Sequence, residues 1–371
     1  MNSKKIAFVH DWIYHRWWAE TVMVSLYRHC ALDQPVTFFC MWSDRRYLEI
    51  DWHIHPIVTA LPYWIFRVFV RCEKQQIPFF KMIFDYRNLM FFYPVLIWIL
   101  EIKIRISSPD VVVIDSFACA KNVRTQGQRI IYFHSALEYV RWLYEYNLSK
   151  LPALIKPMYR FARWYLRYRD KQCISYDIIY ANSLTTAKRI KKLYNLDSKV
   201  RYPAIDPEYE WCEILAVQDY YVFVGRLVIF SKDLDQIIYL FNMTKKRLVI
   251  IWDGPDRAYL ESIAWDTIEF LWVCRGQQKM DIVWAARGLI SLGIESFGMV
   301  VIEALCQWVP VMTYSKSAAA EFIDHTTGIV VDTRSLDVLS DSLISFDQQS
   351  RDRHAIQSSW RAKYARYAQC P

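Results

Sequence analysis

The chain has 371 residues, 54% hydrophobic and 23% charged, a balance that excludes a disordered or fibrous protein and is enough for two domains. Its formal net charge of +8 suits anionic partners such as nucleotides, nucleic acid or an acidic membrane surface, without choosing among them. Nine cysteines include no C-x-x-C pair and no His/Cys group at metal-ligand spacing, so reduced thiols are expected rather than disulfides or structural zinc.

From the N-terminus, "MNSKK" leads straight into the strand-like run "KIAFVH" without the apolar core of a secretory signal, so a cytosolic location is expected. The next stretch, "HDWIYHRWWAE" (His10 to Glu20), turns that strand into a helix beginning at Ala19. Such turns hold phosphate in many α/β proteins and normally need glycine. There follow "PVTFFCMW", a helical apolar region from Leu61 to Leu100, "DVVVID", "RIIYFH", a long helix near Leu151 to Lys171, and "DIIYANS", where Asn182 and Ser183 are placed to cap a helix. The longest apolar run, Leu89 to Leu100, has 12 residues, where a membrane-spanning helix needs about 20.

The second half repeats the alternation with "DYYVFVGRL", "KRLVIIWDGP", "TIEFLWV", "ARGLISL", "VPVMTY" and "GIVVD". Short β-branched runs between helices predict parallel sheets covered on both faces: an α/β protein of two Rossmann-like domains facing a cleft. Tyr202 to Gln218 carries two prolines and a cluster of acids without periodicity, and reads as a linker. The expected division is an N-terminal domain over 1–204, a C-terminal domain over 205–350, and a basic helix in 351–371 that packs back on the N-terminal domain.

The sharpest motif is "GIESFGMVVIEALCQWVPV", Gly293 to Val311. A loop ends and a helix begins at Gly298, so free amides there face a ligand phosphate, where the helix dipole also favours negative charge. Glu303 inside the helix is placed for the hydroxyls of a ribose, and Glu295 at the loop end for those of a sugar. In "FVGRLVIFSKDLD", Gly225 and Arg226 close a strand and Lys232 is expected to open the next helix, two cations placed to neutralise a diphosphate. His134, in "YFHSALEYVRW", falls just past a strand end.

Together these pieces resemble the retaining GT-B glycosyltransferases of the group 1 family (family 4), nearest to mannosyltransferase-like members that begin H-D-W-x-x-x-x-G-G-A-E. "HDW....WWAE", "YFHS", "ANS....RI", "YPAID", "VGRL.....K", "WDGP", "ESFGMVVIEAL" and "AAAEFI" carry the likeness almost end to end. The resemblance implies a nucleotide-diphosphate sugar held by the C-terminal domain and an acceptor on the N-terminal side. Arg226 and Lys232 would hold the diphosphate, beside Gly225. Glu303 would bind ribose, and Glu295 with the amides of Phe297, Gly298, Met299 and Val300 would hold the sugar and phosphates. His134 would lie near the reacting anomeric carbon. No catalytic metal or other cofactor is implied.

The departures from that pattern are of one kind. The chain has 8 glycines and 16 tryptophans, where a chain of this length would usually hold roughly 26 glycines. Tryptophan stands where the family has glycine at Trp17, Trp18, Trp252, Trp272 and Trp308. One replacement repeated at motif positions points to the genetic code: a gene whose UGA codons mean glycine, translated as tryptophan, gives this pattern. If the residues are genuine, Trp17 and Trp18 obstruct the phosphate loop, and restoring glycine at both should restore turnover.

Two further readings concern partners. The region from Leu61 to Leu100 and the segment "KPMYRFARWYLRYRDK" combine aromatic and basic residues, with Arg160, Arg163 and Arg167 on one helical face. Such a surface would suit an anionic bilayer and a lipid-linked acceptor. No nucleic-acid reading motif is present, and the basic residues are dispersed. The alternatives to sugar transfer are a nucleotide-sugar epimerase of the same fold and, with genuine Trp17 and Trp18, a nucleotide-binding pseudoenzyme.

Overall fold

In a computed structural model, the chain is described over residues 4–13, 18–30, 34–74, 92–135, 144–149, 153–172, 175–205, 216–274, 276–349 and 351–368. It divides into two compact units. The first is Met1–Asn182 with Thr186–Arg201, and the second is Tyr202–Gln369 with Ser183–Thr185. The division thus falls three residues before the expected 204/205 boundary. Most of the expected linker, 206–215, lies outside the described residues.

The first unit is built on an eight-stranded sheet: β1 (Ile6–His10), β2 (Val36–Cys40), β3 (Tyr47–Ile50), β4 (His53–Thr59), β5 (Val111–Ser116), β6 (Gln128–Phe133), β7 (Ile178–Ala181) and β8 (Lys199–Val200). Their spatial order is β3-β4-β2-β1-β5-β6-β7-β8. β3 and β4 pair antiparallel and every other pair is parallel. Alternate residues of β1 feed two cores. Ala7 and Val9 join Val112, Ile114, Ile97 and Leu166 on one face. Ile6 and Phe8 join Val113, Met23, Tyr27 and Phe38 on the other. A central parallel strand buried on both faces reads as a continuous apolar run, which is why "IAFV" and "VVVI" were legible.

The second unit has a six-stranded parallel sheet of β9 (Tyr221–Val224), β10 (Leu248–Ile251), β11 (Ile268–Leu271), β12 (Gly288–Ser291), β13 (Val311–Tyr314) and β14 (Gly328–Val331). Its order is β11-β10-β9-β12-β13-β14. The chain therefore winds outward from β9, returns, and continues from β12 on the other side.

Several elements differ from expectation. The apolar region from Leu61 to Leu100 contains two separate helices, Tyr63–Lys74 and Tyr93–Ser107, with 75–91 outside the described residues. The long arginine-bearing helix starts later, at Lys156–Gln172. Lys232 does not open a helix. It closes the four-residue helix Ile229–Lys232, because Asp233 turns left-handed at φ 51° before the next helix, Leu234–Thr244. The basic C-terminal helix, Arg353–Ala368, belongs to the second unit. There Ile356 and Trp360 are buried, Arg353 donates to the carbonyls of Trp284 and Ala286, and Lys363 pairs with Asp324 at 2.8 Å. Among the described residues no helix is long and apolar enough to cross a membrane.

The tryptophans at glycine positions have a backbone signature. Trp252 has φ 125° and Trp308 has φ 62°, and Trp52, which the sequence did not single out, has φ 52°. Of the eight described non-glycine residues with positive φ, three are tryptophan, although a bulky side chain is among the least suited to that region. Trp272 is not among them; its ring is exposed beneath the Arg257 guanidinium, 4.1 Å away. Trp17 lies outside the described residues, and Trp18 begins the helix Trp18–Cys30.

Candidate active site

In the second unit, β9 and β12 are neighbours at the point where the winding reverses. In an open parallel sheet that is where a crevice forms beyond the carboxyl ends of the strands. Two loops meet there. One follows β9 with Gly225, half-buried Arg226 and then Lys232; the other follows β12 with Gly293 and Glu295. A Cβ at Gly293 would stand 2.7 Å from the Ser231 carbonyl oxygen, so glycine is what lets these loops approach. The Lys232 ammonium donates to Glu295 Oε1, and the two side chains are 23% and 28% exposed. Residues 63 positions apart are thus joined, with the ammonium offset by a carboxylate.

The helix Met299–Cys306 begins beside them. Gly298 holds φ 92°, and a Cβ on it would lie 2.8 Å from that of Ala319. The Val301 amide donates to the Gly298 carbonyl at 2.9 Å, so the amides of Met299 and Val300 precede the first closed turn. Amides in this position have the geometry to accept an anion. Phe297 has a different part: its side chain is buried, with its ring against those of Tyr202 and Phe322 at 5.5 and 5.4 Å. It can offer a ligand backbone only. Glu303 is buried and accepts from Lys279 Nζ at 3.0 Å. Lys279, on the helix Gly276–Ala285, was missed from the sequence, and nothing in "GQQKM" marks it.

The first unit holds another cluster at the equivalent sheet edge. β1 and β5 are adjacent, with His10 and Asp115 in register. His134 follows β6, and its Nε2 lies 2.6 Å from Asp115 Oδ1. His10 Nδ1 lies 3.0 Å from Asp115 Oδ2. Asp11 is fully buried, and its carboxylate accepts the amides of Phe117, Ala118, Cys119 and Ala120 at 2.7–2.8 Å, clamping the loop after β5. Asn182, expected to cap a helix, donates its side-chain amide to the His134 carbonyl at 2.9 Å. Sequence reasoning found His134 but missed His10, Asp11 and Asp115. The available signal was that "FVHD" and "VVID" both end buried strands on charged residues. Among the described residues no group of three or more His, Cys, Asp or Glu side chains could hold a metal ion.

Comparison with known proteins bears on the second unit first. Residues 215–362 match the family model of glycosyl transferases group 1. The match covers most of the second unit, which is thus similar to glycosyl transferases group 1. No curated protein matches the chain. Solved structures are similar to the whole chain at the level of fold. WaaG, a glycosyltransferase involved in lipopolysaccharide biosynthesis, is 14% identical with a TM-score of 0.63, covering 98% of this chain and 95% of its own. Sucrose-phosphate synthase from Thermosynechococcus elongatus is 12% identical with a TM-score of 0.66, covering 98% and 94%. HepE (Alr3699) from Anabaena, solved with UDP-glucose, is 12% identical with a TM-score of 0.65, covering 98% and 95%. The fold is α/β of the GT-B class, with two Rossmann-like domains, the second of which carries the group 1 likeness.

Proposed function

We propose that this protein is a retaining glycosyltransferase that moves a hexose, with mannose the first candidate, from a nucleotide-diphosphate sugar to a glycan or lipid-linked acceptor. One observation carries the reading: Lys232 and Glu295 meet where β9 and β12 diverge, beside the helix start at Gly298. When the bond from the anomeric carbon to the diphosphate breaks, negative charge develops on the departing phosphate. Arg226, Lys232 and the amides of Met299 and Val300 stabilise that charge. Glu295, released from Lys232 by the diphosphate, accepts hydrogen bonds from sugar hydroxyls. Lys279 orients Glu303 toward the ribose. Two side-chain cations take the charge that a divalent ion would otherwise neutralise, so turnover should survive EDTA.

For the acceptor, the reading is supported by the helix Lys156–Gln172. Phe161, Trp164 and Tyr168 are exposed and in contact in series, tilted and then stacked, with centroids 5.7 and 5.9 Å apart. Arg160, Arg163 and Arg167 line a groove of about 620 Å³ beside the same rings. Aromatic rings among arginines suit the headgroup zone of an anionic bilayer. The protein then works as a peripheral enzyme at the cytoplasmic face of a membrane.

The deciding experiment is thermal-shift screening with UDP, GDP and ADP sugars, followed by NMR of the product anomer. Binding of one class with retained configuration is expected. Failure of every nucleotide diphosphate to bind would overturn the reading, and product formed from donor alone would favour the epimerase. Sedimentation with phosphatidylglycerol vesicles tests the membrane part, and absence of binding at low salt would remove it.

A further inference from the structure

A pocket of about 270 Å³ lies wholly on the second unit. Among its lining residues, Tyr221 opens β9, Arg287 precedes β12 and Pro310 precedes β13, so it sits at the amino ends of parallel strands. Lys232 and Glu295 instead follow carboxyl ends, the edge where such sheets take their substrates. The pocket is separate from the donor site proposed above.

Three arginines line it: Arg287, Arg351 and Arg353. Arg287 is paired, with Asp219 at 2.9 Å and Asp347 at 2.8 Å. Asp347 also accepts from Lys246 and from the Tyr221 hydroxyl. The two acids thus balance Arg287 and Lys246, and the other two guanidiniums have neutral partners. Arg351 donates to the Phe346 carbonyl at 2.9 Å and to the Gln349 side-chain oxygen, and its Nε is buried without a hydrogen-bond partner. Its Cζ lies 4.5 Å from the Phe346 ring centroid, which holds the plane of the fork. Arg353 donates to the carbonyls of Trp284 and Ala286 at 3.0 and 2.8 Å. Burial weighs against the charge on both, yet a guanidinium keeps its proton, so two positive charges stand partly desolvated beside the pocket. Each spends two of five N–H groups on these bonds and keeps three for a ligand.

We propose that this pocket is a second anion site, binding the phosphoryl group of a small molecule through Arg351 and Arg353. A phosphoryl dianion supplies the charge that these two side chains lack, and its several oxygens match the planar fork of a guanidinium. Free phosphate and a phosphorylated metabolite share that chemistry. The site needs neither the donor nor the first unit, so it stands or falls apart from sugar transfer.

The test is a titration of the full chain, labelled with nitrogen-15 arginine, with inorganic phosphate and with glycerol 3-phosphate against sodium chloride of equal ionic strength. The Arg351 Nε–H signal, assigned by its loss in Arg351→Lys, should shift and saturate with phosphate and not with chloride. Tighter binding of glycerol 3-phosphate would identify a phosphorylated metabolite as the ligand and equal binding free phosphate; either supports the site. Arg351→Gln should weaken phosphate binding, followed on the Arg353 signal, by roughly tenfold or more. Lys232→Met, altered at the opposite edge of the sheet, should leave it unchanged. No saturable shift of Arg351, or a shift that chloride reproduces, overturns the proposal. So does a response lost in Lys232→Met and kept in Arg351→Gln. Should the Arg351 variants fail to fold, the Arg353 signal, assigned by Arg353→Lys, decides in wild type by the same criterion.

Discussion

Asp51 and Trp52 form the two-residue turn between β3 and β4, with φ of 47° and 52°. Ile50 pairs with His53 across it. Two positive φ angles in a two-residue hairpin describe a type I′ turn, for which Asp-Gly is a preferred pair. The Trp52 side chain is 97% exposed, so it gains no packing to offset a left-handed backbone costing ~1–2 kcal/mol. Trp52→Gly should therefore stabilise the protein by about 1 kcal/mol, read by circular dichroism in urea. An unchanged or lower midpoint would contradict the turn assignment. The gene offers a second check: UGA at Trp52, Trp252 and Trp308 is expected, and UGG at these codons would end the recoding explanation.

Trp308 makes the same case at a helix end. The helix Met299–Cys306 is followed by Gln307, and then Trp308 donates its amide to the Leu305 carbonyl at 3.1 Å while Val309 donates to Ala304 at 2.9 Å. This is the Schellman pattern, in which the residue at φ 62° is usually glycine. Here the indole also packs at a tilt against His354, with centroids 4.7 Å apart, and its Nε1 is buried without a hydrogen-bond partner. Trp308→Gly relieves the backbone and removes the orphan donor but loses the ring contact. Its stabilisation should be smaller than that of Trp52→Gly in the same assay, and a loss above about 3 kcal/mol, the range of a buried aromatic truncation, would show that packing dominates.

These tryptophans also explain what the sequence concealed. The β3–β4 hairpin was missed because its turn is written Asp-Trp, whereas Asp-Gly is a strong local hairpin signal. The parallel strands were legible because buried strands keep continuous β-branched runs whatever happens in the loops. Gly298, Glu295 and Lys232 could be found because one loop-to-helix motif and one strand end carry them. Pairs that depend on register or on helix packing left no trace. His10 and Asp115 are 105 residues apart, and Lys279 and Glu303, 24 apart, lie on separate helices.

Gly298 allows a test of the helix start. Alanine there would have to adopt φ 92° and place its Cβ 2.8 Å from that of Ala319. Gly298→Ala should cost about 1–3 kcal/mol of stability through strain, and it should weaken nucleotide-diphosphate binding by displacing the Met299 and Val300 amides. Binding equal to wild type, measured by calorimetry, would remove those amides from the site.

The Lys232–Glu295 pair separates two roles. Both side chains are partly exposed, so breaking the pair should change stability by less than about 1 kcal/mol. Lys232→Met should lower kcat by roughly 10²- to 10³-fold, the loss expected when one group stabilising developing charge is removed. Glu295→Gln should retain affinity for the free nucleoside diphosphate while weakening the sugar-bearing donor. Equal loss of both ligands in Glu295→Gln would show that the carboxylate serves the loops and not the sugar.

The His10–Asp115 contact sets a pH dependence whose sign follows from both partners. Burial opposes charge on His10, yet the hydrogen bond and charge of Asp115, aided by Glu20 and Asp11, push its pKa up to about 9. Burial likewise opposes charge on Asp115, and the imidazoles of His134 and His10 bring it down to about 2. A raised histidine pKa gives stability that is complete below the unfolded value of about 6.5 and is lost as pH rises through about 9. A lowered aspartate pKa gives stability present above about 3.9 and lost as pH falls toward 2. Stability of the first unit should therefore be flat from about pH 4 to 6.5 and decline on either side. His10→Gln should cost about 1.5–3 kcal/mol at pH 6, the worth of one interaction with a charged group, because Asp115 retains the His134 imidazole, and it should flatten the alkaline limb. Urea midpoints for wild type and His10→Gln that run parallel between pH 6.5 and 9 would show that this ion pair does not set the limb.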